Sequence, residues 1–204
     1  PFVPELRCTL GRETAIQKMK WTDDGWLRMT DGTNIAKEYT EESALEEYPV
    51  SQIPDFDDFD SDILGSWYYS PRIMPSCFAD INARKGYVRL RGQESRTSLN
   101  KVSILARKLT STYATVTTKM EYIPEMPHQS AGLIFYYDNM NYTNLRKYYS
   151  ETLGQSALSI IHIENGEKAE MLDTRVAVED VPVYMRVEVR GRKMQFMWSL
   201  DGKK

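Results

Sequence analysis

The sequence predicts an all-β protein: a β-sandwich preceded by a separate β-hairpin. Three observations carry that reading. Short runs alternate apolar and polar residues, most cleanly Val183, Met185, Val187 and Val189 against Tyr184, Arg186, Glu188 and Arg190. Turn signals built on Gly and Asp separate these runs. No stretch shows the helical spacing of apolar residues. Many short strands divided by turns indicate two packed sheets.

The elements follow in order. Residues 1–35 read as a hairpin: Thr14 to Trp21 is strand-like, Asp23-Asp24-Gly25 is a turn, and Trp26 to Met29 returns. A lone hairpin is marginal in water, so this one calls for a partner sheet. An acidic run then begins, with Glu38, Glu41, Glu42, Glu46, Glu47, Asp55, Asp57, Asp58, Asp60 and Asp62 against Lys37 alone. Its first part, residues 36–56, is punctuated by Pro49 and Pro54 and reads as a linker crossing the surface. Most simply these carboxylates form a solvated acidic face. The sharper alternative is a structural calcium site using Asp57, Asp58 or Asp60, since hard cations favour oxygen ligands.

The sandwich occupies residues 57–204. Gly86 to Arg91 alternates, and so does Tyr113 to Tyr122. Ala131 to Tyr137 is almost continuously apolar, as expected of a central strand covered on both faces. Ala157 to Ile163 is a further strand. Val183 to Arg190, Gly191-Arg192 and Lys193 to Leu200 form a hairpin with a two-residue turn. Its alternation puts Val187 and Phe196 on a core face and Arg190 on the other. Ser199-Leu200-Asp201-Gly202 looks like a strand entering an Asp-Gly turn, so the sandwich is expected to lack its final strands.

Composition bounds the function. The chain has 204 residues, enough for one good core plus smaller pieces. A net charge of −3 gives no basic footprint for nucleic acid. No apolar run approaches the ~20 residues of a membrane span. No export signal is visible, which leaves cytoplasm and periplasm equally open for a soluble protein. Cys8 and Cys77 are the only cysteines and His128 and His162 the only histidines, without zinc-site spacing. His128 lies in a Pro127-His128-Gln129 loop with no nucleophile to serve.

One stretch is more specific. Leu10-Gly11-Arg12-Glu13-Thr14-Ala15-Ile16-Gln17-Lys18, followed by Trp21-Thr22-Asp23-Asp24-Gly25-Trp26, resembles the last blade of the five-bladed propeller of glycoside hydrolase family 43, as found in β-xylosidases. Phe59-Asp60-Ser61, Val88 to Ser95, Ala131 to Tyr137 and Tyr184 to Val189 resemble the C-terminal domain of the same enzymes, a concanavalin A-like jelly-roll sandwich. Met140 to Glu151 and Ser70 to Phe78 match less well.

The resemblance implies an exo-acting, inverting hydrolase of β-xylosides or α-arabinofuranosides, homo-oligomeric when intact. Its acid and base carboxylates would lie in a propeller upstream, so no catalytic residue falls in this chain. Its remaining substrate contact here would be Arg12, whose guanidinium offers a fixed fork of donors to sugar hydroxyls. The pocket-lining aromatic loop of the family would fall after Lys204. The alternative is a free-standing carbohydrate-binding module of sandwich type. Trp67, Tyr68, Tyr69, Tyr136, Tyr137, Tyr142, Tyr148 and Tyr149 could then form a stacking platform, although packing explains most aromatics in sandwiches. An exposed aromatic row on a concave face would favour the module; the propeller-like hairpin favours the enzyme part.

Overall fold

The structure, a computed structural model, describes Leu10 and residues 14–203. The chain divides into two compact units, Pro1–Asp55 and Phe56–Lys204.

The first unit contains the expected hairpin in shorter form. Strands β1 (Met19–Trp21) and β2 (Leu27–Met29) pair antiparallel with Lys20 opposite Arg28. The turn closes through Gly25 N–H donating to the Thr22 carbonyl at 2.8 Å, and Gly25 adopts φ +77°, a conformation that glycine reaches without strain. Residues 36–56 contain no strand and are exposed throughout. Carboxylates and prolines interrupt any apolar alternation there, and the apolar residues the segment does carry, among them Tyr39, Leu45 and Tyr48, lie exposed.

The second unit is all β apart from one turn of 3-10 helix at Pro75–Cys77. Strands β3 (Ala79–Asp80) and β4 (Arg89–Leu90) make a short ladder. Two larger sheets form the sandwich. One has the order β11-β10-β5, from β5 (Tyr113–Met120), β10 (Val183–Arg190) and β11 (Lys193–Ser199). The other runs β6-β7-β8-β9, from β6 (Ser130–Asp138), β7 (Asn141–Ser150), β8 (Gln155–Glu164) and β9 (Glu167–Ala177). The core lies between them. Leu145 and Leu158 of the four-stranded sheet pack on Val183 and Met185 of β10, with Val178 from the connection joining β9 to β10. Met120, Leu133, Ile160 and Phe196 close its edges.

The β10–β11 hairpin has the expected register, with Val187 opposite Phe196 and Arg190 opposite Lys193 around Gly191 at φ +62°. Val187 is buried and Phe196 half-buried, both against the core, while Arg190 is exposed.

Two expectations need correction, and two strands were not expected. Gly86 to Arg91 forms a strand only over Arg89–Leu90. Ala131 to Tyr137 is not central: among the described residues β6 is an edge of its sheet, and Tyr137 faces solvent. Its apolar character reflects packing on one side by the core and on the other by Tyr142, which Ile134 and Tyr136 contact. The interior strands are β8, expected from sequence, and β7, which had no clear pattern because many of its residues are polar. Strand β9 was also unforeseen. It lacks clean alternation because a bulge shifts its register against β8 between Leu158 and Ile160.

Candidate functional site

Strand β7 carries the most unusual chemistry in the sandwich. Polar residues fill both of its faces and are nonetheless buried. Toward the core, Thr143 and Lys147 flank Leu145. On the opposite face, Tyr142, Asn144, Arg146 and Tyr148 stand in a row. Arg146 is held by its neighbours, whereas Tyr142 Oη and Asn144 Oδ1 are buried with no hydrogen-bond partner among the described residues. The Arg146 guanidinium lies 3.9 Å from the centre of the Tyr148 ring, donates from Nε to Ser159 Oγ at 3.3 Å, and pairs with Glu170. Burial pulls the Arg146 pKa below its usual value and Glu170 opposes that shift. Arg96 reaches over from a loop to donate to Ser130 Oγ at 3.0 Å, and Ser130 stands opposite Tyr148.

The proposed stacking aromatics do not form an exposed row. Tyr142 and Tyr148 are buried, and Tyr142 stacks with Tyr136 at 6.0 Å between ring centres. Tyr149, Trp67 and Tyr68 are half-buried, and only Tyr69 and Tyr137 present large exposed surfaces. Burial and the neighbouring Asp57 carboxylate push the Tyr68 phenol up to about 12, so this group is a neutral donor at any physiological pH. Most of them, Tyr142 and Tyr148 above all, act as packing.

The acidic candidates are turned back on their own chain. Asp57 Oδ1 accepts from the Phe59 amide at 2.9 Å, and Asp58 Oδ1 from the Asp60 amide at 3.1 Å. Such turns are the local competition Asp offers to regular structure. Among the described residues, no three His, Cys, Asp or Glu side chains converge as a metal-binding set. His128 is exposed in its loop. Arg12 lies outside the described residues, as do Gly11, Glu13 and Cys8. Among the described residues, no helix is long and apolar enough to cross a membrane.

What the described residues make is thus a scaffold: two sheets and a buried polar spine, with Asp57 and Asp58 turned onto backbone amides. Comparison with known families decides its kinship. Residues 56–204 match the family described as the β-xylosidase C-terminal concanavalin A-like domain. The chain belongs to this glycoside hydrolase family 43 domain family. A β-xylosidase of Bacillus subtilis is 30% identical over 197 residues, 95% of this chain but 37% of that protein. A xylan 1,3-β-xylosidase of a Vibrio species is 31% identical over 193 residues, again 95% of this chain and 36% of the relative. The crystal structure of a xylan β-1,4-xylosidase from Bacillus halodurans has a TM-score of 0.90 and 36% identity, over 99% of this chain and 39% of that one. The chain therefore spans little more than a third of the length of these relatives. The fold read from sequence, a concanavalin A-like sandwich with a hairpin ahead of it, is the fold of the family.

Proposed function

We propose that this chain is the C-terminal portion of an exo-acting β-xylosidase or α-arabinofuranosidase, with its sandwich supporting a catalytic propeller and helping to shape the sugar pocket. In this reading residues 1–35 are the propeller's last hairpin, 36–56 the acidic linker and 57–204 the accessory sandwich. The observation that carries it is the likeness to the Bacillus halodurans xylosidase over 99% of the chain, which takes in the hairpin as well as the sandwich. Ile16, Trp21 and Trp26 add support, since all three are largely exposed and want neighbours.

Chemistry divides accordingly. Protonating the leaving oxygen and activating water need two carboxyl groups flanking the glycosidic bond, and those belong to the propeller. Arg12 binds sugar hydroxyls from the hairpin, and the rest of this chain holds the hairpin's surroundings in place. The intact enzyme is a homo-oligomer. Along β11 the inner residues Met194 and Trp198 are partly exposed, and a further strand of the same polypeptide covers them.

A chimaera tests the reading. The corresponding C-terminal region of the Bacillus subtilis β-xylosidase is deleted, then replaced by this chain. Deletion should abolish hydrolysis of an aryl β-xyloside and replacement should restore it, while Arg12→Ala in the chimaera should cost about a hundredfold in kcat/KM, as for a lost charged contact. The 204-residue chain alone should hydrolyse nothing. Measurable turnover by the isolated chain, or a chimaera as dead as the deletion, would overturn the proposal.

A further inference from the structure

The sandwich unit contains an open groove of about 850 Å³ between the 62–68 segment and the β3–β4 ladder. Its walls are fixed by local bonds. Lys85 Nζ ties the rim by donating to the Asp60 carbonyl and to Asp62 Oδ1, each at 2.9 Å. The 3-10 turn is closed by the Phe78 amide donating to the Pro75 carbonyl at 3.0 Å, and Phe78 itself is buried at the base. Tyr68 contributes an aromatic wall, its phenol engaged with Asp57.

Into this groove come Arg89 and Arg91. They occupy alternate positions on one chain, so their Cα atoms are about 7 Å apart and their side chains leave the same face. Arg89 stands opposite Asp80, and the Arg91 amide donates to the Phe78 carbonyl at 2.8 Å. Neither guanidinium has a hydrogen-bond or ion-pair partner among the described residues. The two carboxylates of the groove are already engaged. Asp62 is paired with Lys85, and Asp80 Oδ1 accepts from the amides of Asn82 and Ala83 at 2.8 and 3.1 Å. The groove is left with two unused cationic forks and one excess positive charge.

We propose that this groove binds a carboxylated sugar, a uronate. A guanidinium fork matches a carboxylate in geometry and charge, and two of them leave a second set of donors for ring hydroxyls. An aromatic wall suits the apolar face of a pyranose, and the volume falls in the range of small-ligand sites. A bare anion would use the arginines and leave that wall idle; a neutral sugar would leave the charge unused. The inference is independent of the propeller reading.

The test is a titration of the 204-residue chain, followed by NMR, with glucuronate, xylose and acetate in turn. Cys77, an exposed free thiol in the groove wall, gives a second readout in a Cys8→Ser background, through protection from alkylation. Glucuronate should move the amide resonances of residues 62–68 and 74–82 and slow alkylation, while xylose and acetate do neither at the same concentration. The Arg89→Gln/Arg91→Gln variant should weaken glucuronate binding about tenfold or more, and Arg190→Gln, which removes a charge on β10, should not. Equal responses to acetate and glucuronate would reduce the groove to a simple anion site and overturn the proposal. So would equal responses to xylose and glucuronate, no response at all, or undiminished binding by the double variant.

Discussion

Lys147 and Asp180 face each other at 3.6 Å across the connection between the two sheets, and their environments are opposite: the lysine is 1% exposed and the aspartate half-exposed. The ammonium also donates to the carbonyls of Glu179 at 3.1 Å and Val181 at 3.4 Å, so it clasps the segment leading from β9 into β10. Asp180 in turn accepts from Ser156 Oγ at 2.5 Å. A buried charge survives only where such partners replace its water.

The clasp should therefore depend on the cation far more than on the anion. Lys147→Ala removes a buried stem and leaves two carbonyls without a donor, at an expected cost of about 2–4 kcal/mol. Asp180→Asn keeps a side chain that accepts from Ser156 and loses only a partly screened attraction, about 1 kcal/mol or less. Urea denaturation of both variants measures the difference. Equal losses would show that the ion pair, and not the carbonyl contacts, holds the crossover.

Core dependence should follow burial along the β10–β11 hairpin. Met185 is fully buried, so Met185→Ala should cost about 2–5 kcal/mol, close to the whole stability of a modest domain. Phe196 packs at the edge of the same cluster and is half-buried, so Phe196→Ala should cost about 2 kcal/mol, less than the full aromatic value. Arg190 makes an exposed 3.0 Å pair with Glu188, and Arg190→Ala should change stability by about 0.5 kcal/mol or less. Thermal melts rank the three. A Phe196→Ala protein that melts with the parent would place that ring outside the core.

The hairpin was legible in sequence because its two strands obey a period of two and Gly191 marks the turn. The lack of strands in residues 36–56 was legible because carboxylates and prolines interrupt any apolar alternation there. Strand β7 was not. Its Thr143, Arg146 and Lys147 read as solvent-facing, and only tertiary partners, His162, Ser159, Glu170 and the carbonyls of Glu179 and Val181, make their burial tolerable. Conversely, the apolar run of β6 promised a central strand, yet pattern alone cannot distinguish an interior strand from an edge strand with both faces packed. Of the candidate site, the motif around Arg12 was readable from sequence, but Arg12 itself lies outside the described residues. The arginines of the groove gave no sequence signal beyond strand alternation, because the lack of an acidic partner is a property of three-dimensional placement.

The turn after the first hairpin should hold its charge into strong acid. Asp31 accepts from the Thr33 amide at 2.9 Å and pairs with Lys37 at 3.0 Å, and these bonds, the amide first, draw its carboxyl down to about 2. Because the folded value is depressed, the contribution is complete above the ordinary aspartate value of 3.8 and is lost as pH falls through about 2. NMR titration of the Asp31 carboxyl should give a midpoint near 2. A midpoint near the ordinary value would mean that the turn is not formed in solution.

The tightest steric constraint in the sandwich is Gly132 on β6, opposite Arg146 of β7. A Cβ there would come within 2.0 Å of the Leu145 carbonyl oxygen and 2.8 Å of Arg146 Cα, both backbone atoms of the most buried strand. Neither can yield without opening the ladder. Gly132→Ala should thus cost about 3 kcal/mol, the upper end of overpacking, and should strip hydrogen-exchange protection from β6 before the rest of the sheet. Gly154→Ala supplies the contrast. Gly154 sits at φ +65° in open space, so its substitution meets only backbone strain of about 1 kcal/mol. If the two substitutions cost the same, the close approach of β6 to β7 is not what glycine serves at position 132.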